Sequence, residues 1–269
     1  MGKVISVANQ KGGVGKTTTA VNLSACLALS GRKTLLVDMD PQSNATSGLG
    51  ITLSKDQKGV YELLMGGAVR RGVTYPTEIP ALKIIPATVD LSGAELELAT
   101  MDAREKALKS ALNGADGEYD FVIIDCPPAL GLLTINALAA SHSVLIPMQC
   151  EYYSLQGLSH LLNTLKRVKQ SINPGLMVEG ILLTMFDGRT TLAGQVQSQV
   201  RKYFKDFLMQ TVIPRNIRLS EAPSHGKPII LYDKRSKGAD SYVKLAAEVV
   251  SRMKKASRQK TADLAGRPS

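Results

Sequence analysis

Residues 9–18 read Asn-Gln-Lys-Gly-Gly-Val-Gly-Lys-Thr-Thr, directly after a short β-like run from Lys3 to Ala8. A turn this rich in glycine folds so that consecutive backbone N–H groups point inward and surround an anion. Lys16 adds a point charge for β- and γ-phosphates, and Thr17 offers a hydroxyl to Mg²⁺. The stretch therefore predicts a nucleoside triphosphate site made by Gly12, Gly13, Val14, Gly15, Lys16, Thr17 and Thr18. The common pattern G-x-x-x-x-G-K-[ST] would start with glycine at position 10, but Gln10 stands there and a second lysine, Lys11, follows. Beyond the loop, Ala20, Leu23, Leu27 and Ala28 fall near helical spacing between Thr18 and Ser30, and Gly31 is a natural stop. Strand, loop and helix come in the order that aims a helix N-terminus at the anion.

The rest of the chain repeats that alternation. Apolar β-type runs at 33–38, 82–86, 121–125, 143–147 and 178–183 alternate with helical patterns at 60–65, 102–112, 155–168, 192–204 and 239–253. Alternation of this kind predicts βαβ units, hence an α/β fold with a mostly parallel twisted sheet flanked by helices on both faces. Pro147, Pro174 and Pro214 are expected in connections. The 269 residues suffice for one large domain, placed at 1–256. Residues 257–269 are polar and basic with little to bury, and are expected to form a disordered tail.

Two acidic sites follow strands. Asp38 and Asp40 emerge where the 33–38 run ends, at the sheet edge where open α/β folds bind ligands. Phe121-Val-Ile-Ile-Asp125 is an apolar run closed by a carboxylate, a form that places Asp125 near Mg²⁺, commonly through water.

Charge and composition narrow the function classes. The net charge of +10 lies wholly in residues 185–269, which hold 17 Lys/Arg against 7 Asp/Glu, while residues 1–184 hold 16 of each. Excess confined to one third of a folded domain suggests a basic face for a polyanion such as DNA. Four Phe and no Trp argue against a single-strand binder built on aromatic stacking. Cys26, Cys126 and Cys150, like His142, His160 and His225, are scattered and do not propose a zinc or iron–sulfur site. No run approaches 18 apolar residues, and the first residues lack a long apolar segment, so a cytoplasmic protein is expected.

The extra lysine resembles the deviant phosphate loop KGGxGK[ST] of the ParA/MinD ATPases. The phrase Leu-Leu-Val-Asp38-Met-Asp40-Pro-Gln-Ser-Asn resembles switch I of the chromosomal, Soj-type ParA proteins, and Asp125-Cys-Pro-Pro with Gly131 resembles their switch II. From residue 3 to about 253 the resemblance implies a P-loop ATPase of that family. It implies that Lys11 reaches the partner's ATP across a homodimer, that Asp40 helps activate the attacking water, and that Pro214 and Asn216 lie against adenine. Arg189 and Arg218 match positions the family uses on the DNA backbone. The implied cycle is ATP- and Mg²⁺-dependent dimerisation, sequence-independent binding of double-stranded DNA on the nucleoid, and release when a ParB-type centromere-binding partner stimulates hydrolysis to ADP. A start at the phosphate-loop strand fits the short chromosomal members. A MinD-like membrane-cycling ATPase should end in an amphipathic helix with bulky apolar residues, whereas only Leu264 is of that kind after Met253, so no membrane partner is expected. A metabolic or reductase P-loop enzyme of the nitrogenase-iron-protein type would need cluster ligands that Cys126 alone does not supply.

Overall fold

The computed structural model describes residues 2–54, 56–66, 70–151 and 154–265, with side chains as far as residue 255. Seven strands form one sheet: β1 (Lys3–Val7), β2 (Thr34–Asp38), β3 (Tyr75–Pro76), β4 (Leu82–Ile85), β5 (Phe121–Asp125), β6 (Ser143–Gln149) and β7 (Met177–Thr184). Their order is β3-β4-β2-β5-β1-β6-β7, parallel throughout except for β3 against β4. The first helices are α1 (Lys16–Leu29), α2 (Asn44–Gly48), α3 (Val60–Leu64), α4 (Ala94–Leu98), α5 (Ala107–Ala111) and α6 (Ala115–Glu118). Then come α7 (Leu132–Ala140), α8 (Ser154–Ser171), α9 (Thr191–Phe204), α10 (Ile217–Glu221), α11 (Ile229–Tyr232) and α12 (Lys237–Ala265).

Strands buried on both faces read as unbroken apolar runs, and successive side chains divide between two cores. Val122 and Ile124 join one, with Val4, Leu35, Val144 and helix residues such as Leu138 and Leu161. Phe121 and Ile123 join the other, with Ile5, Leu36, Leu145 and residues of α1 and α12, among them Leu23, Leu27 and Leu245. The helices thus cover both faces, as the alternation predicts.

Some expectations change. Pro147 lies inside β6 rather than in a connection. Pairing of β6 with β1 stops at Val7↔Leu145, and the Pro147 carbonyl accepts the Asn9 side-chain amide at 2.7 Å instead of a strand amide. The missing proline N–H points to that same side, where no ladder partner remains to lose. The expected 102–112 helix is a 3₁₀ turn at Arg104–Lys106 followed by the short α5. Most of the segment expected as a tail continues α12 to Ala265. Residues 254–265 contain good helix formers and neither Gly nor Pro, which first appear at Gly266 and Pro268. Residues 266–269 lie outside the described ones.

Register explains where the site forms. Val7 pairs with Asp125, and Asp125 with Asp38, so the ends of three adjacent strands are level. The phosphate loop and both acidic turns leave the sheet at one edge.

Candidate functional site

The loop between β1 and α1 needs glycine for a physical reason. Gly13 and Gly15 adopt φ of 71° and 86°, the left-handed region that side chains avoid. Gly15 also precedes the first turn of α1. A Cβ added at Gly12 or Gly13 would meet no protein atom within 4 Å, so the cradle opens into free space. Asn9 braces the loop by accepting the Lys11 amide at 3.1 Å, Gln149 donates to the Gly13 carbonyl at 3.0 Å, and Thr184 to the Val14 carbonyl at 2.8 Å. Val14 is buried by its side chain, which leaves only its backbone for a ligand.

The two lysines sit differently. Lys16 is buried and its Nζ donates to the Lys11 carbonyl at 3.0 Å, folded back over the loop. Burial lowers its pKa, while Asp125 and Asp40 act to raise it. Lys11 extends outward and its Nζ forms an ion pair with Glu151 on the surface.

Asp38 and Asp40 have distinct tasks. Asp38 Oδ2 accepts both the amide and the hydroxyl of Thr46, at 2.8 and 2.7 Å, and Oδ1 accepts the Asp40 amide at 3.2 Å. It therefore fastens the turn into α2. Burial pushes its carboxyl up to about 6 against those hydrogen bonds. Asp40 instead lines a cavity of about 380 Å³ with Gly12, Lys16 and Thr17. Its Oδ1 accepts the Gln42 amide at 3.0 Å, which leaves the second oxygen for a water.

Asp125 is fully buried at the end of β5, near enough to Thr17 and Lys16 of the cavity wall for both to act on its carboxyl, and both carboxylate oxygens lack a well-formed hydrogen bond. Burial, reinforced by Asp38, raises its pKa well above the usual carboxylate range, with Thr17 and Lys16 pulling it down. Unpaired carboxylate oxygens beside a hydroxyl are hard donors of the kind a hydrated divalent cation satisfies.

A second cavity, about 340 Å³, adjoins the first and shares Gly15, Thr18 and Met185 with it. Its walls include Ile213, Pro214, Asn216, Leu219 and Tyr242. The Asn216 Oδ1 atom is buried with no hydrogen-bond partner, an acceptor that an exocyclic amine would satisfy. Pro214 is held beside β7 by a bridge to Phe186.

The structure thus brings together residues 12–18, Asp40, Asp125, Pro214 and Asn216. Arg189 and Arg218 line neither cavity. Both are exposed and ion-paired, Arg189 with Asp187 at 2.7 Å and Arg218 with Glu221 at 2.8 Å. Sequence reasoning missed Gln149, Thr184, Met185 and Tyr242. Thr184 and Gln149 end apolar strand runs, a signal open to notice, whereas Tyr242 looks like any core position of α12.

A mostly parallel sheet with this loop at the end of the interior strand β1, two lysines in the loop and acidic turns on β5 and β2 beside it defines a P-loop nucleotide-binding protein of the deviant two-lysine type. A family model described as an AAA domain matches residues 2–178. The chain is 59% identical over 251 residues to the sporulation initiation inhibitor protein Soj of Bacillus subtilis, covering 93% of this chain and 99% of that one. It is 57% identical over 252 residues to the chromosome partitioning protein ParA of Myxococcus xanthus, covering 94% and 89%. The crystal structure of cobyrinic acid a,c-diamide synthase from Mycobacterium smegmatis with ADP and magnesium superposes with a TM-score of 0.82 at 39% identity, covering 94% and 96%. The cell division ATPase MinD of Pyrococcus furiosus superposes with a TM-score of 0.78 at 28% identity, covering 93% and 99%. The chain belongs to the Soj/ParA family of chromosome-partitioning ATPases.

Proposed function

We propose that the chain is an ATP-dependent partitioning protein whose ATP-bound homodimer holds double-stranded DNA without sequence preference and releases it when a ParB-type partner stimulates hydrolysis. The observation that carries this reading is the continuity of the two cavities, one basic and glycine-walled, the other apolar with an unsatisfied Asn216 Oδ1. Together they suit a nucleotide from γ-phosphate to adenine. Thr17 and Asp125 would hold Mg²⁺, which when bound supplies charge neutralisation at the phosphates. The magnesium in the ADP-bound synthase of the same fold supports that assignment.

Phosphoryl transfer to water needs position and charge compensation more than covalent chemistry. Backbone N–H groups of the loop and Lys16 fix the phosphates, and Asp40 orients a water for attack on the γ-phosphorus. The new P–O bond forms as the bond to the β–γ bridging oxygen breaks, giving ADP and phosphate. Lys11, released from Glu151, would compensate the developing charge on the partner's nucleotide. Intrinsic turnover is slow in this reading, because a DNA-bound state must outlast its journey over the nucleoid.

The test is DNA co-sedimentation with ATP, with ADP and without nucleotide. ATP-dependent binding that falls with salt is expected. Equal binding in all three states overturns the cycle, and ATP-dependent capture by anionic vesicles instead of DNA favours the membrane-cycling reading.

A further inference from the structure

Helix α1 starts at the phosphate loop, but its residues beyond Thr18 line neither nucleotide cavity. That far part runs beside α12. Thr19 Oγ1 and the Tyr242 hydroxyl hydrogen-bond at 3.3 Å near the start of both helices. Cys26 of α1 and Val250 of α12, seven and eight residues farther on, line one groove, so the two helices lie side by side and run the same way. The groove has a volume of about 440 Å³, within the range of small-molecule sites.

Its floor is apolar, formed by Cys26, Val243, Ala246, Ala247 and Val250. Val243 is 48% exposed, a large apolar side chain left uncovered. Burial pushes the Cys26 thiol up to about 12, so at neutral pH it is an uncharged wall and not a nucleophile. At the helical rise, Val243 to Lys254 spans about 16 Å. One end is cationic. Gly31, at φ 83°, reverses the chain after α1, and the Arg32 amide returns to the Leu27 carbonyl at 3.1 Å. That turn sets Arg32 in the groove wall, and Lys254 joins it from α12. Among the described residues no carboxylate lines the groove, and neither cation forms an ion pair. Arg252, two residues before Lys254, is by contrast held by Glu248 and by the Glu179 and Leu208 carbonyls. An apolar floor with two uncommitted cations at one end suits an anion that trails a hydrocarbon chain.

We propose that the groove between α1 and α12 binds a single-chain amphiphile, with its carboxylate or phosphate head between Arg32 and Lys254 and its chain along Val250, Ala247 and Val243. Arg32 suits such a head because its planar fork meets two oxygens at once, and Lys254 adds a point charge. Burial of the chain against the floor supplies affinity, and the head fixes which way the chain lies. The site stands apart from both nucleotide cavities and does not depend on the cycle proposed above.

Decanoate and decyl phosphate are the probes, titrated by calorimetry below the concentrations at which they form micelles. Acetate, which lacks the chain, and decyltrimethylammonium, which reverses the charge of the head, are the controls. At least one anionic probe should bind at a single site per chain, the tighter of the two identifying the head, and neither control should bind. Arg32→Gln/Lys254→Gln should weaken binding by about tenfold or more, the scale of losing charge-assisted hydrogen bonds. Ala247→Trp, which fills the groove from an exposed position, should abolish binding while the melting temperature and ATP affinity stay unchanged. Binding of decyltrimethylammonium as tight as that of the anions, full affinity in either variant, or no binding of either anionic probe overturns the proposal. Capture by phosphatidylglycerol vesicles without binding of a free probe also overturns it and makes the face a membrane surface. Loss of DNA binding by the double variant, with no amphiphile bound by the wild type, overturns it as well and makes the two cations DNA contacts.

Discussion

Asp187 holds Arg189 at two points, Nε donating to Oδ1 at 2.8 Å and Nη2 to Oδ2 at 2.7 Å. Those hydrogen bonds bring the Asp187 carboxyl down to about 2, so both partners carry their charges at any physiological pH. A DNA phosphate at Arg189 has to displace Asp187, which is feasible because exposed pairs are weakly held.

Arg189→Glu and Arg218→Glu are expected to weaken DNA binding by about tenfold or more each, with ATP binding unchanged, since each adds repulsion as well as removing a phosphate contact. Asp187→Asn should act in the opposite direction by freeing Arg189. Anisotropy titrations over roughly 50 to 200 mM salt provide the check. Unchanged affinity of the Arg189 variant removes it from the DNA surface.

Lys16→Ala should abolish productive ATP binding, because no other buried cation lies within the loop. Lys11→Ala should spare nucleotide binding and prevent the ATP dimer. Calorimetry measures the first and size-exclusion chromatography the second. A normal ATP dimer formed by the Lys11 variant contradicts its role in trans.

Asp40→Ala should slow hydrolysis by ~100-fold, the scale of losing one positioned group in the transition state, and leave ATP affinity nearly unchanged. The product is a long-lived ATP dimer. Single-turnover rates equal to wild type would reduce Asp40 to a turn residue held by the Gln42 amide.

Asp38 makes stability depend on pH. Its native carboxyl titrates near 6, raised by burial, whereas an unfolded aspartate titrates at about 3.9. Between those values the native state binds more protons than the unfolded chain, so the contribution of Asp38 is largest below about pH 4 and declines as pH rises to about 6. Urea denaturation of wild type and Asp38→Asn across that window should show the wild type losing ground to the variant as pH rises. A constant difference would mean that the carboxyl is ionised throughout.

Gly226→Ala should destabilise the fold by about 2 kcal/mol or more. Gly226 has φ of 61°, and an added Cβ would lie 2.7 Å from Gly50 Cα, where two backbones touch. Denaturant unfolding reads the change, and a wild-type midpoint would show that both loops can part without cost.

The strands and the phosphate loop were legible because their signals are local: apolar runs of the right length, and glycines at fixed offsets before Lys16. Long-range contacts left no such trace. Nothing near Asn216 announces that its side-chain oxygen is buried without a partner, since the cavity wall is completed by Met185 and Tyr242 from distant elements. Nothing in the sequence around Glu95 singles it out, yet its carboxylate accepts the Leu133 amide at the start of α7 from 38 positions away. Pro147 misled because proline is tolerated inside a strand where no neighbouring carbonyl needs its missing N–H, and β1 has already ended there.

The nucleotide cavity draws on both ends of the chain. Gly12 to Thr18 come from its beginning, while Pro214, Asn216 and Tyr242 are added late, beyond the 2–178 stretch that matches the family model. In the proposed reading, the residues that face the phosphates are therefore made well before those that face the base. In the same reading, a nucleotide filling both cavities would join α1, which starts at the phosphate loop, to α12, which carries Tyr242.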